Sequence, residues 1–246
     1  MPKTIILIPS RMSASRLPGK PLLKINDLPI ISHVFNKAKK TNIGRVVVCA
    51  EDGEILKEVE KNGGEAILTD NKHKSGSDRI FEGFKKLGID NVDYILNLQG
   101  DEPNIDVNDI INLNNCMINN NADFGTLATK IKNSTMLSNK NIVKVSLKEK
   151  LSNENFPFAL NFSRQDPSSK YENIYHHIGI YIYKVNILEK FVNFDQTKNE
   201  VKYNLEQLRA LDNGIKINVA LAKSSPIGID TEEDYLALKK IMEYKS

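Results

Sequence analysis

The chain has 246 residues, 40% of them hydrophobic, enough for a sizeable core in one domain or two closely packed lobes. A net charge of +3, with lysine and asparagine spread evenly, is too mild to argue for nucleic acid. Cys49 and Cys116 stand in no CxxC or His spacing suited to zinc, and no apolar run approaches the roughly 18 residues of a membrane span, so the expectation is a soluble, cytoplasmic protein with free thiols.

Residues 4–8 are apolar or β-branched throughout, as in a strand buried on both faces, and Pro9, lacking a backbone donor, is expected to end its ladder. A loop carrying Arg11, Arg16 and Lys20 follows, held open by Gly19 and two prolines. After a turn at Asn26-Asp27, Pro29 opens a helix with Ile30, Val34 and Ala38 inward and Lys37, Lys39 and Lys40 late on the other face. Residues 45–50 form a second buried strand, followed at once by Glu51-Asp52; a helix through Ile55, Leu56 and Val59 then stops at Gly63-Gly64. A short strand spans 65–68, and a loop at 73–79 enters a helix that ends at Gly88. The strand at 94–98 runs into Gln99-Gly100-Asp101-Glu102-Pro103. This alternation predicts a parallel sheet with right-handed crossovers.

The second half is more mixed. Asp106 caps a helix carrying Ile110, Leu113 and Met117, and strands are expected at 124–131, 141–147, 158–162 and 177–183. The last alternates Ile178, Ile180 and Ile182 with Gly179, Tyr181 and Tyr183, which predicts one buried face and one face presenting tyrosines. Helices follow at 185–193 and 203–211, then a strand at 215–220 and a final helix at 232–244, capped by Thr231 with Asp234. Pro167-Ser168-Ser169 is the segment expected to be mobile.

Three polar loops should meet at one edge of the sheet, where open α/β folds bind ligands. The first supplies guanidinium forks and an ammonium suited to phosphate oxygens, or is a solvated loop that binds nothing. It is neither a Walker A loop, since Pro21 follows Lys20, nor a GxGxxG fingerprint. The second, Ser75-Gly76-Ser77-Asp78-Arg79, opens a helix whose amides could receive an anion or a base edge; equally, it is only a capped helix start. In the third, Gly100 allows close backbone approach and Asp101 and Glu102 stand just past a buried strand. Those acids could pair with the cations, or share a magnesium ion with a triphosphate, with Asp230 as the second carboxylate. Alone, Asp230 reads equally well as a loop acid near a helix N-terminus.

Taken together and in order, IPSR and RLPGKPL, HKSGSDR, NLQGDEP, NKNIVKV, NFSR, HHIGIY, LEQLRAL and GIDTEED make the chain resemble the 3-deoxy-manno-octulosonate (Kdo) cytidylyltransferases, or CMP-Kdo synthetases, over nearly its whole length. The resemblance implies an α/β, Rossmann-like nucleotide-diphospho-sugar transferase fold with a mixed, mostly parallel central sheet. It implies a single cytidylyltransferase domain, with a nucleotide-binding half over about 1–105 and a sugar-binding and dimerisation half over about 106–246. The family is usually a homodimer that makes CMP-Kdo and pyrophosphate from CTP and Kdo with Mg²⁺, for lipopolysaccharide synthesis; neither nucleic acid nor a membrane is an expected partner.

Residue by residue, the resemblance gives Arg11, Arg16 and Lys20 to the triphosphate, and Ser75, Gly76 and Arg79 to the loop that helps hold the nucleotide. Asp101 and Asp230 match the magnesium ligands. Gln99, His177, Tyr181, Glu206 and Gln207 match sugar-binding positions, and Arg164 an arginine near the substrates. Arg11, Lys20, Asp101 and Asp230 are the expected catalytic set. Ser10 and Ser77 replace the more usual Ala and Thr, and the segment between Arg164 and His177 is shorter than in typical members, without the Ile-Pro that often follows the arginine. Three other readings stay open: the same chemistry on 8-amino-Kdo or a sialic-acid-like sugar, a hexose-1-phosphate nucleotidyltransferase, and a non-catalytic nucleotide-binding module.

Overall fold

Apolar strands dictate the first of two structural units. The computed structural model describes residues 2–13 and 16–244. One unit comprises the chain up to Ile110 together with the stretch from Pro226 onward, and the other is Ile111–Ser225. In the first, β1 (Thr4–Ser10) leads through a short 3-10 turn, Lys20–Leu22, to a hairpin of β2 (Lys24–Ile25) and β3 (Leu28–Pro29). Asn26 and Asp27 both hold positive φ there, 48° and 59°, as a two-residue hairpin turn demands. Then follow α1 (Ile30–Lys40), β4 (Val46–Ala50), α2 (Gly53–Lys61), β5 (Ala66–Leu68), α3 (Gly76–Leu87) and β6 (Tyr94–Asn97).

The four main strands lie in the order β6-β1-β4-β5, all parallel. Pro9 does not end the ladder: β1 continues to Ser10, with Pro9 opposite Cys49 and Ser10 opposite Ala50. The reason is parity. The Ile6 amide donates to Arg45 on the β4 side, so Pro9, three residues on, turns its nitrogen to the β6 side, where β6 has already ended at Asn97. Proline therefore costs this strand no hydrogen bond.

The chain enters the second unit within α4 (Val107–Asn119). There it forms β7 (Phe124–Lys130), α5 (Ser134–Ser138), β8 (Lys144–Leu147), β9 (Ala159–Ser163) and β10 (Asn173–Lys184). α6 (Val185–Val192), α7 (Lys198–Tyr203), α8 (Gln207–Asp212) and β11 (Asn218–Leu221) complete it. β10 runs antiparallel to β7 and β8, β9 antiparallel to β8, and β11 parallel to β7. The fold class is α/β, with mixed and mostly parallel strand pairing, as expected.

Three local expectations give way. The helix expected at 203–211 starts only at Gln207, because Asn204 adopts φ 51°, a left-handed conformation that ends the preceding α7 at Tyr203. Both faces of β10 are buried: Tyr181 and Tyr183 join Phe124 and Phe191 in an aromatic cluster instead of facing solvent. The strand expected at 141–147 starts only at Lys144, since the Ile142 amide closes a turn onto the Asn139 carbonyl. Pro167, in the segment expected to be mobile, is buried, and its carbonyl accepts from the amides of Lys170 and Tyr171. The last helix, α9 (Glu232–Glu243), returns to the first unit; Thr231 and Asp234 form its capping box, and Ile229 and Leu238 pack on Ile25 and Ile30.

Candidate nucleotide-binding and catalytic site

The loops that follow β1, β5 and β6 converge on one pocket of ≈ 230 Å³, entirely within the first unit, whose lining includes Arg11, Arg16, Lys20, Ser75, Gly76 and Asp101. Gly100 is where the third loop crosses β1: a Cβ there would lie 2.8 Å from the Pro9 carbonyl oxygen. Ser75 caps α3, its hydroxyl accepting from the Asp78 amide at 3.1 Å, and with Gly76 it brings the helix start to the pocket wall. Gln99 lines the same pocket, as do His73 and Lys74, which sequence reasoning passed over.

Lys20 is the electrostatic centre. Its Nζ lies 2.6 Å from Asp101 Oδ2 and 3.7 Å from Asp230 Oδ1, and it donates to the Ile229 carbonyl. The Ile229 amide in turn donates to the Asp101 carbonyl at 3.1 Å, so a backbone bond holds the two acids side by side although they are far apart in sequence. Arg16 reaches Asp230 Oδ2 at 2.9 Å. Two carboxylates converging on one cationic point are a donor set that a divalent cation with phosphate ligands can use. Among the described residues no cluster of three or more His, Cys, Asp or Glu forms a fuller metal cage. Glu102 behaves differently from its neighbour. Burial, then the charges of Asp101 and Asp230, push its carboxyl up to about 8 against the pull of Lys20, so it is mostly protonated at neutral pH.

Arg79 lines the pocket, but its guanidinium is committed to the wall. Nη2 donates to Glu51 Oε2 at 2.8 Å, and Nη1 to Thr69 Oγ1 at 2.8 Å and the Asp70 carbonyl at 3.1 Å. Glu51 was missed, yet it carries the signal that singled out Asp101: an acid at the carboxyl end of a buried strand. Beside it, Glu82 accepts from Lys86, His73 and the Asp70 amide; burial raises its pKa, but these bonds prevail and hold it at about 2.

The remaining candidates lie in the second unit. His177 is buried, its ring 5.5 Å from that of Tyr181 and 5.0 Å from that of Phe162. The Thr126 hydroxyl proton goes to the Ile180 carbonyl at 2.7 Å, so its oxygen accepts from His177 Nε2 at 3.0 Å, which places the ring proton on Nε2. Burial, with the nearby His176, lowers the His177 pKa to about 3, so the ring is neutral. Arg164 follows β9; its carbonyl accepts from the buried Lys144 Nζ at 2.6 Å, and its Nη1 donates to the Lys140 carbonyl at 3.4 Å. Glu206 and Gln207 stand together at the start of α8, Gln207 buried and Glu206 half-buried.

A cation-lined pocket at the carboxyl ends of parallel strands, with paired acids at its edge, defines a nucleotidyltransferase of the α/β class. Residues 5–217 match the family model described as Cytidylyltransferase. A 3-deoxy-manno-octulosonate cytidylyltransferase of Afipia carboxidovorans is 41% identical, over 97% of this chain and 96% of its own. One of Thermodesulfovibrio yellowstonii is 42% identical, over 97% and 98%. The solved structure of a CMP:2-keto-3-deoxy-manno-octonic acid synthetase complexed with CTP superposes with a TM-score of 0.89 at 32% identity, covering 99% of this chain and 100% of that one. A UTP-bound UGPase from Acinetobacter baumannii shares the fold alone, with a TM-score of 0.69 at 11% identity over 100% of this chain and 95% of its own. The chain belongs to the cytidylyltransferase family and, within it, to the 3-deoxy-manno-octulosonate cytidylyltransferases.

Proposed function

We propose that the protein transfers the cytidylyl group of CTP to the anomeric hydroxyl of Kdo, releasing pyrophosphate. The observation that carries this reading is the convergence of Arg11, Arg16 and Lys20 with the start of α3 and the Asp101–Asp230 pair on one pocket. The names of the relatives and the CTP in the solved neighbour support the choice of nucleotide and sugar. Arg11, Arg16 and Lys20 take up triphosphate charge, and Ser75 and Gly76 present the helix start to the nucleotide. Arg79 supports that loop from behind, through Glu51 and Thr69. Asp101 and Asp230 would hold Mg²⁺, which when bound lowers the pKa of the sugar hydroxyl and neutralises phosphate charge. The work of the chain is positioning and charge stabilisation, since phosphoryl transfer asks little covalent chemistry of a protein.

For the sugar, the family resemblance points within the second unit to Tyr181, which has a hydroxyl, to Glu206 and Gln207, which have acceptors for hydroxyl groups, and to His177 and Arg164. A cytoplasmic homodimer is the assembly we infer from the family resemblance; among the described residues no helix is long and apolar enough to cross a membrane. Pyrophosphate release from CTP tests the reading. It should require both Mg²⁺ and Kdo, and a panel of sugar acids that gives release with a different sugar and none with Kdo would refute the assignment.

A further inference from the structure

The Glu51 carboxylate joins elements that the proposed chemistry leaves unconnected. Its side chain is 9% exposed, at the end of β4. Oε1 accepts from the Ser13 hydroxyl at 2.8 Å and the Ser13 amide at 3.3 Å, while Oε2 accepts from Arg79 at 2.8 Å. Arg79 continues the chain of bonds to Thr69 and Asp70, and the Thr69 hydroxyl donates to the Ala50 carbonyl at 3.1 Å. One acid thus links the cation loop after β1, the end of β5 and the first turn of α3.

Ser13 lies between Arg11 and Arg16, both of which line the pocket and are themselves exposed. The base of that loop is closed by the Gly19 amide on the Met12 carbonyl at 3.2 Å. The second fixed point is Ser13 on Glu51. A carboxylate this deeply placed needs a partner charge, and Arg79 supplies it on one oxygen, leaving the other free to take both Ser13 donors. Two guanidiniums on a freely moving loop would have to be ordered when a triphosphate bound, at the expense of affinity. With Ser13 tied, part of that ordering is already done.

We propose that Glu51 is a positioning residue for the nucleotide, holding the cation loop in its binding geometry through Ser13 and braced by Arg79. The inference rests on the reading of this pocket as the CTP site. Ser13→Ala removes the hydroxyl donor and leaves the Glu51–Arg79 pair in place. It should weaken CTP binding, measured calorimetrically, by about 3–10-fold, the net worth of one ordinary hydrogen bond. The KM for Kdo and the unfolding midpoint should not move, and Ser13→Thr, which keeps the hydroxyl, should restore affinity. In a double-mutant cycle with Glu51→Gln, the losses in CTP affinity should be non-additive. CTP affinity unchanged in Ser13→Ala, or additive losses in the cycle, would overturn the tether while leaving the CTP site standing. Failure of the wild-type protein to bind CTP would overturn both.

Discussion

Lys20 illustrates how much a partner changes a residue's meaning. In the sequence it is one cation of three in an open loop, whereas in the structure it is the counter-ion of Asp101 and Asp230. It therefore competes for the carboxylates that would hold a divalent ion. Lys20→Met should raise the affinity of the protein alone for Mn²⁺ by about tenfold, within the usual range of coupling between sites, as read from the EPR signal of free Mn²⁺. The same substitution should slow transfer by roughly 10²–10³, since a donor to the growing phosphate charge is lost. Equal Mn²⁺ binding by the two proteins would show that Lys20 does not contend for the acids. Asp101→Asn should lower Mn²⁺ binding in both.

The buried imidazoles give a prediction in pH. His177 titrates near 3 when folded and at 6.5 when free, and burial lowers His176 too. The unfolded chain thus takes up protons that the folded one refuses. The imidazoles' contribution is fully present above pH 6.5 and is lost as the pH drops from there toward 3, by up to about 1.4 kcal/mol per pH unit for each proton. Glu82 adds to the loss lower down: with a folded pKa of about 2 against 4.5, its contribution is present above 4.5 and disappears as the pH falls toward 2. Glu102 works in the opposite sense: with a folded pKa of about 8 against 4.5, its protonation stabilises the fold as the pH falls from 8 to 4.5, which offsets one imidazole between 6.5 and 4.5. Thermal melts should therefore show the midpoint falling most steeply below pH 4.5, and a midpoint flat from 4.5 to 3 would mean that the imidazoles and Glu82 protonate in place.

At the scale of elements, the sequence was most legible where one physical cause acts alone. Continuous apolar runs marked β1, β4 and β6, and the Thr231–Asp234 pair marked the start of α9. It was least legible where a tertiary partner or a single backbone angle decides. The apolar spacing of Leu205, Leu208 and Leu211 reads as a helix from Tyr203, yet Tyr203 ends α7 before the left-handed Asn204, and the readable signal was the Thr197–Glu200 capping box that starts α7. The resemblance placed Arg79 in the nucleotide loop, but its bond to Glu51, 28 residues away, could not be read from the sequence. The break at Asn204 can be tested: Asn204→Val should cost about 1–2 kcal/mol by chemical denaturation, because a β-branched residue resists positive φ, whereas Asn204→Gly should be nearly neutral. Equal stability of the two variants would show that the helix break does not depend on that conformation.

Across the whole molecule, order in the chain and order in space diverge. Asp230 sits near the end of the sequence but belongs to the first unit, tied to Asp101 by the Ile229 amide, and this is why the candidate metal pair could be suspected but not located from sequence. His177, Tyr181, Glu206 and Gln207 belong to the second unit, where packing brings His177 onto Tyr181 and sets Glu206 beside Gln207. Separate units for the proposed nucleotide and sugar residues predict separable kinetics. Glu206→Ala should raise the KM for Kdo or lower turnover with little change in the KM for CTP, and a rise confined to CTP would misplace the sugar site.

If this pocket drives cytidylyl transfer onto Kdo, ³¹P NMR of CTP, Kdo and Mg²⁺ with the enzyme should show a new phosphodiester resonance appearing with pyrophosphate in equal amount. Neither product should form when Kdo is left out or Asp101 is replaced by Asn. Pyrophosphate or orthophosphate formed without a phosphodiester product, or transfer that survives Asp101→Asn undiminished, would contradict it.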